Sequence, residues 1–390
     1  MRILRTAVCL VGLVAIAAGV AFAQEDRPRG ELLRELIKKY DENGDGRLSA
    51  EERAKLREYA RRFTAPRAES DVAATIDPRD SKLYKAAPGP LEVETVETLT
   101  LNDKQREKEL QLRLTFPRPR GKYPVIVFSH GALGSKDAYQ PLAQHWASHG
   151  YIVIQPTHGD SLTLMSNEEK LDIKSVKEVL NSLTVAKHWN TRPQDVTFVL
   201  DSLDEIARKA PALSGKIDKA RIGVGGHSYG AHTTQMVGGL KLQIPLTRRW
   251  ANYKDDRAQA LLMISPPGPG RGTQSREEIA RPALVVTGSK DDSPQNGDPY
   301  TVRLETYKQL PAGKKYLLFL DGAHHGFGGI SGRTPFPGSG PQNPDQVVCI
   351  QSASLALWDA FLKDDEQARK FLASDVMTRE TDGAAKLTND

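Results

Sequence analysis

Residues 221–239 read RIGVGGHSYGAHTTQMVGG, and the corner inside this stretch decides the reading of the whole chain. The run 221–225 has the composition of a buried strand, and the residues from Ala231 onward read as a helix of small side chains. Between them, GHSYG at 226–230 sets a serine between two glycines. A G-x-S-x-G sequence at a strand-to-helix corner is a nucleophile elbow, in which small residues at 226 and 230 permit a sharp turn that lifts the Ser228 hydroxyl above the sheet edge. A serine hydroxyl is a weak nucleophile by itself. It needs a base to take its proton and a carboxylate to orient that base.

The sequence on either side supplies the sheet that such a corner requires. Residues 92–101 alternate as a strand, Asn102-Asp103 begins a turn, and 110–116 form a second strand, an antiparallel opening pair. Short apolar runs follow at 125–128, 151–154, 221–226, 260–265, 283–288 and 316–321, the pattern of parallel strands buried on both faces. Helical segments at 137–149, 172–187, 195–210, 302–310 and 350–363 fall between or after them. The expected fold class is therefore α/β, with a mostly parallel eight-stranded sheet and helices on both faces. The stretch from Gly159 to Arg192 exceeds a simple crossover and suggests a lid or a decorated rim.

Candidate partners for Ser228 lie where strands end. Asp291, in GSKDD after the run 283–288, sits at the carboxyl rim of the sheet, with Asp292 as the neighbouring alternative. After 316–321 comes DGAHHGFGG, so His324 or His325 supplies the base, and the order serine, carboxylate, histidine suits this kind of sheet. SHGALGS at 129–135 follows the run 125–128. Its glycines allow close backbone approach, and the amides of Ala132 and Tyr229 are the expected oxyanion donors. His130 reads as structural. His158 and Asp160, in PTHGDS, either shape a pocket on the same rim or are ordinary polar loop residues; with His324 they complete the pocket candidates.

With these pieces assembled, residues 92–365 resemble the α/β-hydrolase superfamily, and within it the bacterial relatives of platelet-activating-factor acetylhydrolase, chlorophyllase and dienelactone hydrolase. The resemblance rests on VIVFSHGALGS, LAQHWASHGYIVIQPTHGDS, RPQDVTFVLDSL, GHSYGAHT, LVVTGSKDD and DGAHHGFGG. It implies an α/β-hydrolase fold, a nucleophile at Ser228, an acid at Asp291 and oxyanion amides at Ala132 and Tyr229. The last loop of that family reads glycine, alanine, any residue, histidine, a small residue and an aromatic. This register assigns the base to His325 and leaves His324 the variable place. Dienelactone hydrolases proper carry a cysteine nucleophile, where this chain has Ser228.

The amino-terminal part reads separately. Arg2 and Arg5 precede an apolar run from Val8 to Phe22, and Ala21-Phe22-Ala23 offers the small residues of a cleavage site, so residues 1–23 read as a secretory signal peptide. The expected destination is periplasmic or extracellular. Residues 31–63 read as helix, loop and helix. DENGDGRLSAEE at 41–52 fits the twelve-residue calcium loop: Asp41, Asn43 and Asp45 at positions 1, 3 and 5, Gly46 at the turn, the Arg47 carbonyl at 7, Ser49 at 9 and Glu52 at 12. The segment resembles the EF-hand family and implies bound Ca2+, serving as a clip or a calcium-dependent contact within the chain or with another protein. Residues 64–90, with four prolines, read as a linker, 91–365 as the catalytic domain and 366–390 as a tail.

Composition agrees with a folded enzyme. The 54 basic and 49 acidic residues give a net charge of +5, which falls to +3 once Arg2 and Arg5 leave with the signal peptide. No clustered basic stripe supports nucleic-acid binding, and no later run is apolar enough for a membrane span. Cys349, the one cysteine beyond the signal peptide, reads as a buried thiol. The hydrolytic chemistry needs no cofactor. The leading expectation is a secreted serine hydrolase cleaving small carboxylic esters; a calcium-dependent binding or scaffold protein and a peptidase of the same fold are the competing ones.

Overall fold

The apolar runs lie side by side because each is apolar on both faces and has to be covered on both. In the computed structural model, which describes residues 49, 75–164, 188–244, 247–269, 274–332 and 338–390, they build one nine-stranded sheet. Its strands are β1 (Val93–Asp103), β2 (Lys108–Pro117), β3 (Tyr123–Ser129), β4 (Ile152–Pro156), β5 (Ile217–His227), β6 (Ala258–Ile264), β7 (Ala283–Lys290), β8 (Lys315–His324) and β9 (Ala385–Asn389). They run in the order β1-β2-β4-β3-β5-β6-β7-β8-β9. The six from β4 to β8 are mutually parallel, β1 and β2 form the antiparallel opening pair, and β9 closes the far edge antiparallel.

Alternation along each strand divides the interior into two cores. On β3, Ile126 and Phe128 join one core, while Val125 and Val127 join the other. The first core is covered by α1 (Gln140–Ser148) and α6 (Pro344–Leu362), the second by α2 (Thr191–Asp201), α3 (Leu203–Lys209) and α4 (Tyr229–Gly238). A further helix, α5 (Thr301–Lys308), follows β7. Gly223 marks a close approach of α6 to the sheet, since a Cβ there would lie 2.6 Å from the Trp358 ring. Trp358 in turn meets Trp146 edge-on, with ring centroids 6.0 Å apart, within the range favourable for such pairs. Cys349 is buried on α6, and burial, aided by the Asp345 charge, pushes its thiol up to about 12.

Two stretches differ from expectation. Residues 366–390 are no loose tail: α7 (Glu366–Leu372) and α8 (Val376–Glu380) pack on the first core, and β9 is the ninth strand beyond the expected eight. Its five residues are too few for a clear alternating signal. Residues 75–90, expected as part of a linker, are held against α6. Leu83 and Ala86 are buried, the Tyr84 hydroxyl lies 2.9 Å from both the Asp359 and the Asp365 carboxylates, and Asp345 accepts from the Thr75 amide at 2.9 Å. Single anchors spaced among prolines leave no periodicity to read.

The chain divides into two units, residues 1–71 and 72–390. Within the first, only Ser49 is described, and it is exposed. The expected signal peptide, the helix-loop-helix and the candidate ligands Asp41, Asn43, Asp45, Arg47 and Glu52 lie outside the described residues, as do the linker residues 64–74 and the helix expected at 172–187. Among the described residues no helix is long and apolar enough to cross a membrane.

The Gly223–Trp358 contact gives a first test. Replacing Trp358 with Ala empties a fully buried site and is expected to cost about 3–5 kcal/mol. Urea unfolding should show the midpoint move with little change in slope.

Candidate active site

β5 sits at the centre of the sheet, and its end is the site. Ser228 adopts φ 55° and ψ −116°, a strained conformation for a residue with a side chain, worth about 1–3 kcal/mol. The surroundings enforce it. A Cβ on Gly226 would lie 2.4 Å from the Gly230 carbonyl carbon, and one on Gly230 would lie 2.0 Å from the Ser129 carbonyl oxygen. The Ser228 amide donates to the Ile264 carbonyl at 2.8 Å, tying the corner to the end of β6.

The sequence-predicted partners converge on this serine. Ser228 Oγ and His325 Nε2 lie 3.0 Å apart, and His325 Nδ1–H donates to Asp291 Oδ1 at 2.7 Å. Asp291 is fully buried at the foot of the loop after β7, where the register between β7 and β8 shifts past Gly288. A bulge of this sort re-aims side chains at a sheet edge. Asp292 is exposed and caps the Tyr300 amide at 3.2 Å, so the alternative acid is directed elsewhere. His324 is the last residue of β8, in register with Lys290, and its side chain lies against Gly340.

Asp291 has two further hydroxyl donors and a cation that sequence reasoning missed. Ser265 Oγ donates to Asp291 Oδ1 at 2.9 Å and lies 3.0 Å from His325 Nδ1, Thr287 Oγ1 donates to Oδ2 at 2.9 Å, and Arg303 forms an ion pair with Oδ2 at 3.0 Å while its Nε–H donates to the Asp291 carbonyl at 3.0 Å. A signal was present: Ser265 and Thr287, like Ser129, are polar residues at the carboxyl ends of otherwise apolar runs. Burial lowers the His325 pKa below the ordinary imidazole value. The Asp291 hydrogen bond and charge raise it only in part, and Arg303 adds to the lowering.

His227, also missed, links the loops. Its Nε2–H donates to the His325 carbonyl at 2.9 Å, its Nδ1 accepts from the Tyr139 hydroxyl at 2.8 Å, and Tyr139 Oη accepts the Gly131 amide at 3.2 Å. Each proton role follows from the next, since an imidazole nitrogen that accepts leaves the other to donate.

The other pocket candidates are placed differently from a lining role. His130, His158 and Asp160 are fully buried behind the loop 130–134. His158 Nδ1–H donates to Asp195 at 2.9 Å, its Nε2 lies 3.0 Å from Ser129 Oγ, and its amide donates to His130 Nε2 at 2.9 Å. Asp195 also takes Arg106 and Lys108, both at 2.8 Å. Asp160 forms a two-pronged pair with Arg192, at 2.8 and 2.7 Å, and accepts the Leu133 amide at 3.2 Å. These partners come from β2 and α2, distant in sequence, so nothing local to PTHGDS announces a sealed network. Ala132 and Tyr229 adjoin it, Tyr229 through the Arg192 guanidinium over its ring. Ala132 is in the loop that the network holds, and Tyr229 opens α4, where first-turn amides have no intrahelical partner.

Burial keeps these imidazoles neutral: His158 falls to about 4, and His130 and His227 fall well below the ordinary value. For Asp160 burial acts upward, but the Arg192 charge and hydrogen bonds outweigh it and hold the carboxyl well below the usual range.

The comparisons bear on this arrangement. The chlorophyllase family model matches residues 82–243, which include β3, the loop after it and the corner at Ser228, and end before Asp291 and His325. Cutinase est2 of Thermobifida alba is 24% identical over 219 residues, 56% of this chain and 58% of that protein. Cutinase 1 of Thermobifida cellulosilytica is 22% identical over 258 residues, 66% of this chain and 75% of the relative. The cutinase of Thermobifida fusca is also 22% identical over 258 residues, covering 65% of its length. Together they support an α/β hydrolase.

The buried imidazoles give a test with a definite sign. Their folded pKa values are lowered, so in the unfolded chain they take up protons near pH 6.5 while the folded chain resists. Stability is expected to be full above that pH and to fall steadily as pH drops below about 6.5, the His158 share being lost down to about pH 4. Thermal unfolding across pH 5 to 7.5 measures it; a flat profile contradicts it.

Proposed function

We propose that the protein is an exported serine hydrolase that cleaves carboxylic esters through an acyl-enzyme at Ser228. The buried chain of hydrogen bonds from Ser228 through His325 to Asp291 carries the reading, and the likeness to cutinases supports an ester as the substrate class. His325 Nε2 takes the Ser228 proton as Oγ attacks the ester carbonyl carbon. Asp291 holds the imidazole with its proton on Nδ1 and stabilises the imidazolium that forms. The developing oxyanion is taken by the amides of Ala132 and Tyr229. Collapse of the tetrahedral species breaks the bond to the leaving alkoxide, which receives the proton from His325 Nε2. Water, activated by the same nitrogen, then attacks the acyl carbonyl and returns Ser228. The chemistry uses side chains and amides of this chain alone.

The calcium site at Asp41, Asn43, Asp45, Arg47, Ser49 and Glu52 is a separate proposal resting on the loop sequence, with a structural clip as its role. Calcium titration of the whole chain by calorimetry is expected to show one site, lost in the Asp41→Ala, Glu52→Ala double variant.

Two measurements test the hydrolase. Replacing Ser228 with Ala is expected to lower turnover of short-chain aryl esters by about three orders of magnitude or more, and to abolish covalent labelling by a serine-reactive phosphonate. Full residual activity would overturn the assignment. His325 has to be neutral to act as base, and its pKa is lowered. The acid limb of kcat/KM is therefore expected to have its midpoint below pH 6.5, with activity falling as pH drops through it.

A further inference from the structure

Arg192 is fully buried, and its guanidinium is shared between both sides of the corner. Its Nη1 donates to the His130 carbonyl at 2.7 Å and its Nη2 to the Gly131 carbonyl at 3.2 Å. The guanidinium carbon lies over the Tyr229 ring, 4.3 Å from its centroid. The pair with Asp160 fixes its position, and Asp160 reaches back to the Leu133 amide.

The Gly131 carbonyl and the Ala132 amide belong to one peptide unit. Across a trans peptide the C=O and N–H point in opposite directions, so a donor that fixes the carbonyl also fixes the amide. The same carbonyl accepts from His130 Nδ1–H at 2.6 Å and from the Gly134 amide at 3.2 Å. Three donors on one carbonyl, one of them cationic, draw electron density from the peptide and strengthen its N–H as a donor.

We propose that Arg192 is a positioning residue of the oxyanion hole: it aims and polarises the Gly131–Ala132 peptide and packs its face on Tyr229, the residue carrying the second donor. The proposal rests on the ester-hydrolase reading, and it assigns Arg192 no contact with substrate. A peptide strengthened in this way acts on the negative oxygen of the tetrahedral species more than on the neutral ester, so its loss should appear in turnover rather than in substrate binding.

The experiment compares wild type, Arg192→Lys and the charge-neutral pair Arg192→Met with Asp160→Asn in the full-length chain. Lysine keeps the charge beside Asp160 but loses the fork, and the pair leaves no buried charge unmatched, so one variant or the other retains the fold by circular dichroism. The readouts are kcat and KM on a p-nitrophenyl ester and the inhibition constant of an arylboronic acid, which forms a tetrahedral adduct on the serine. The expected result is a fall in kcat of roughly tenfold to a hundredfold, KM within about twofold, and boronate affinity weakened by a similar factor to kcat. A folded variant with unchanged kcat, or with its whole loss in KM, overturns the role of Arg192. If such variants are fully active while Ser228→Ala is inert, only this inference fails. If wild type turns over no ester, the hydrolase reading itself fails.

Discussion

The strained corner at Ser228 is the constraint on which the rest depends. A residue with a side chain is held at φ 55° only because the strand before it and the helix after it are pinned. The pinning is steric: two glycines, 226 and 230, admit the approach of helix to strand, and Gly230 lets the corner rest on the end of β3. Moving the corner would move β5 against β3 and β6, which lie on either side of it at the centre of the sheet. The hydroxyl is therefore placed by the whole sheet rather than by a loop, which suits a group that must meet a base within hydrogen-bond reach.

Buried carboxylates support the residues around this corner. Asp291 accepts from Ser265, Thr287 and His325 and is ion-paired with Arg303, so its oxygens are satisfied although it is fully buried. Asp160 and Asp195 are matched by Arg192, Arg106 and Lys108. Leaving any of these carboxylates without partners in such surroundings would be strongly unfavourable. The imidazoles between them stay neutral because burial acts against charge, and this leaves His325 ready to accept a proton.

The sequence made the sheet legible because a strand buried on both faces must be apolar throughout, and six such stretches stand out after an opening pair of strands. The ninth strand, five residues long at the chain end, and the segment 75–90, anchored by Leu83, Tyr84 and Ala86 singly, have no such continuous signature. In the site, Ser228, Asp291 and the pair His324-His325 were legible because chemistry requires those residue types after those strands, and the family resemblance chose His325 from the pair. Arg192, Asp195 and Tyr139 were not, because their roles come from packing between distant elements. His158 and Asp160 illustrate the difference: they stand on the rim in sequence, yet partners from α2 and β2 seal them inside.

The chain of bonds through His227 shows what that packing adds. The Gly131 amide, the Tyr139 hydroxyl, the His227 ring and the His325 carbonyl form one directional series. It joins the loop bearing Ala132 to the strand that ends at His227, beside Ser228, and to the loop bearing His325. None of these groups is required for proton transfer itself. A neutral His227 is required for the series to run in this direction, because protonation at Nδ1 would remove the acceptor for Tyr139. The burial that lowers the His227 pKa therefore holds the two loops and the strand together over the same pH range in which His325, also lowered by burial, stays neutral.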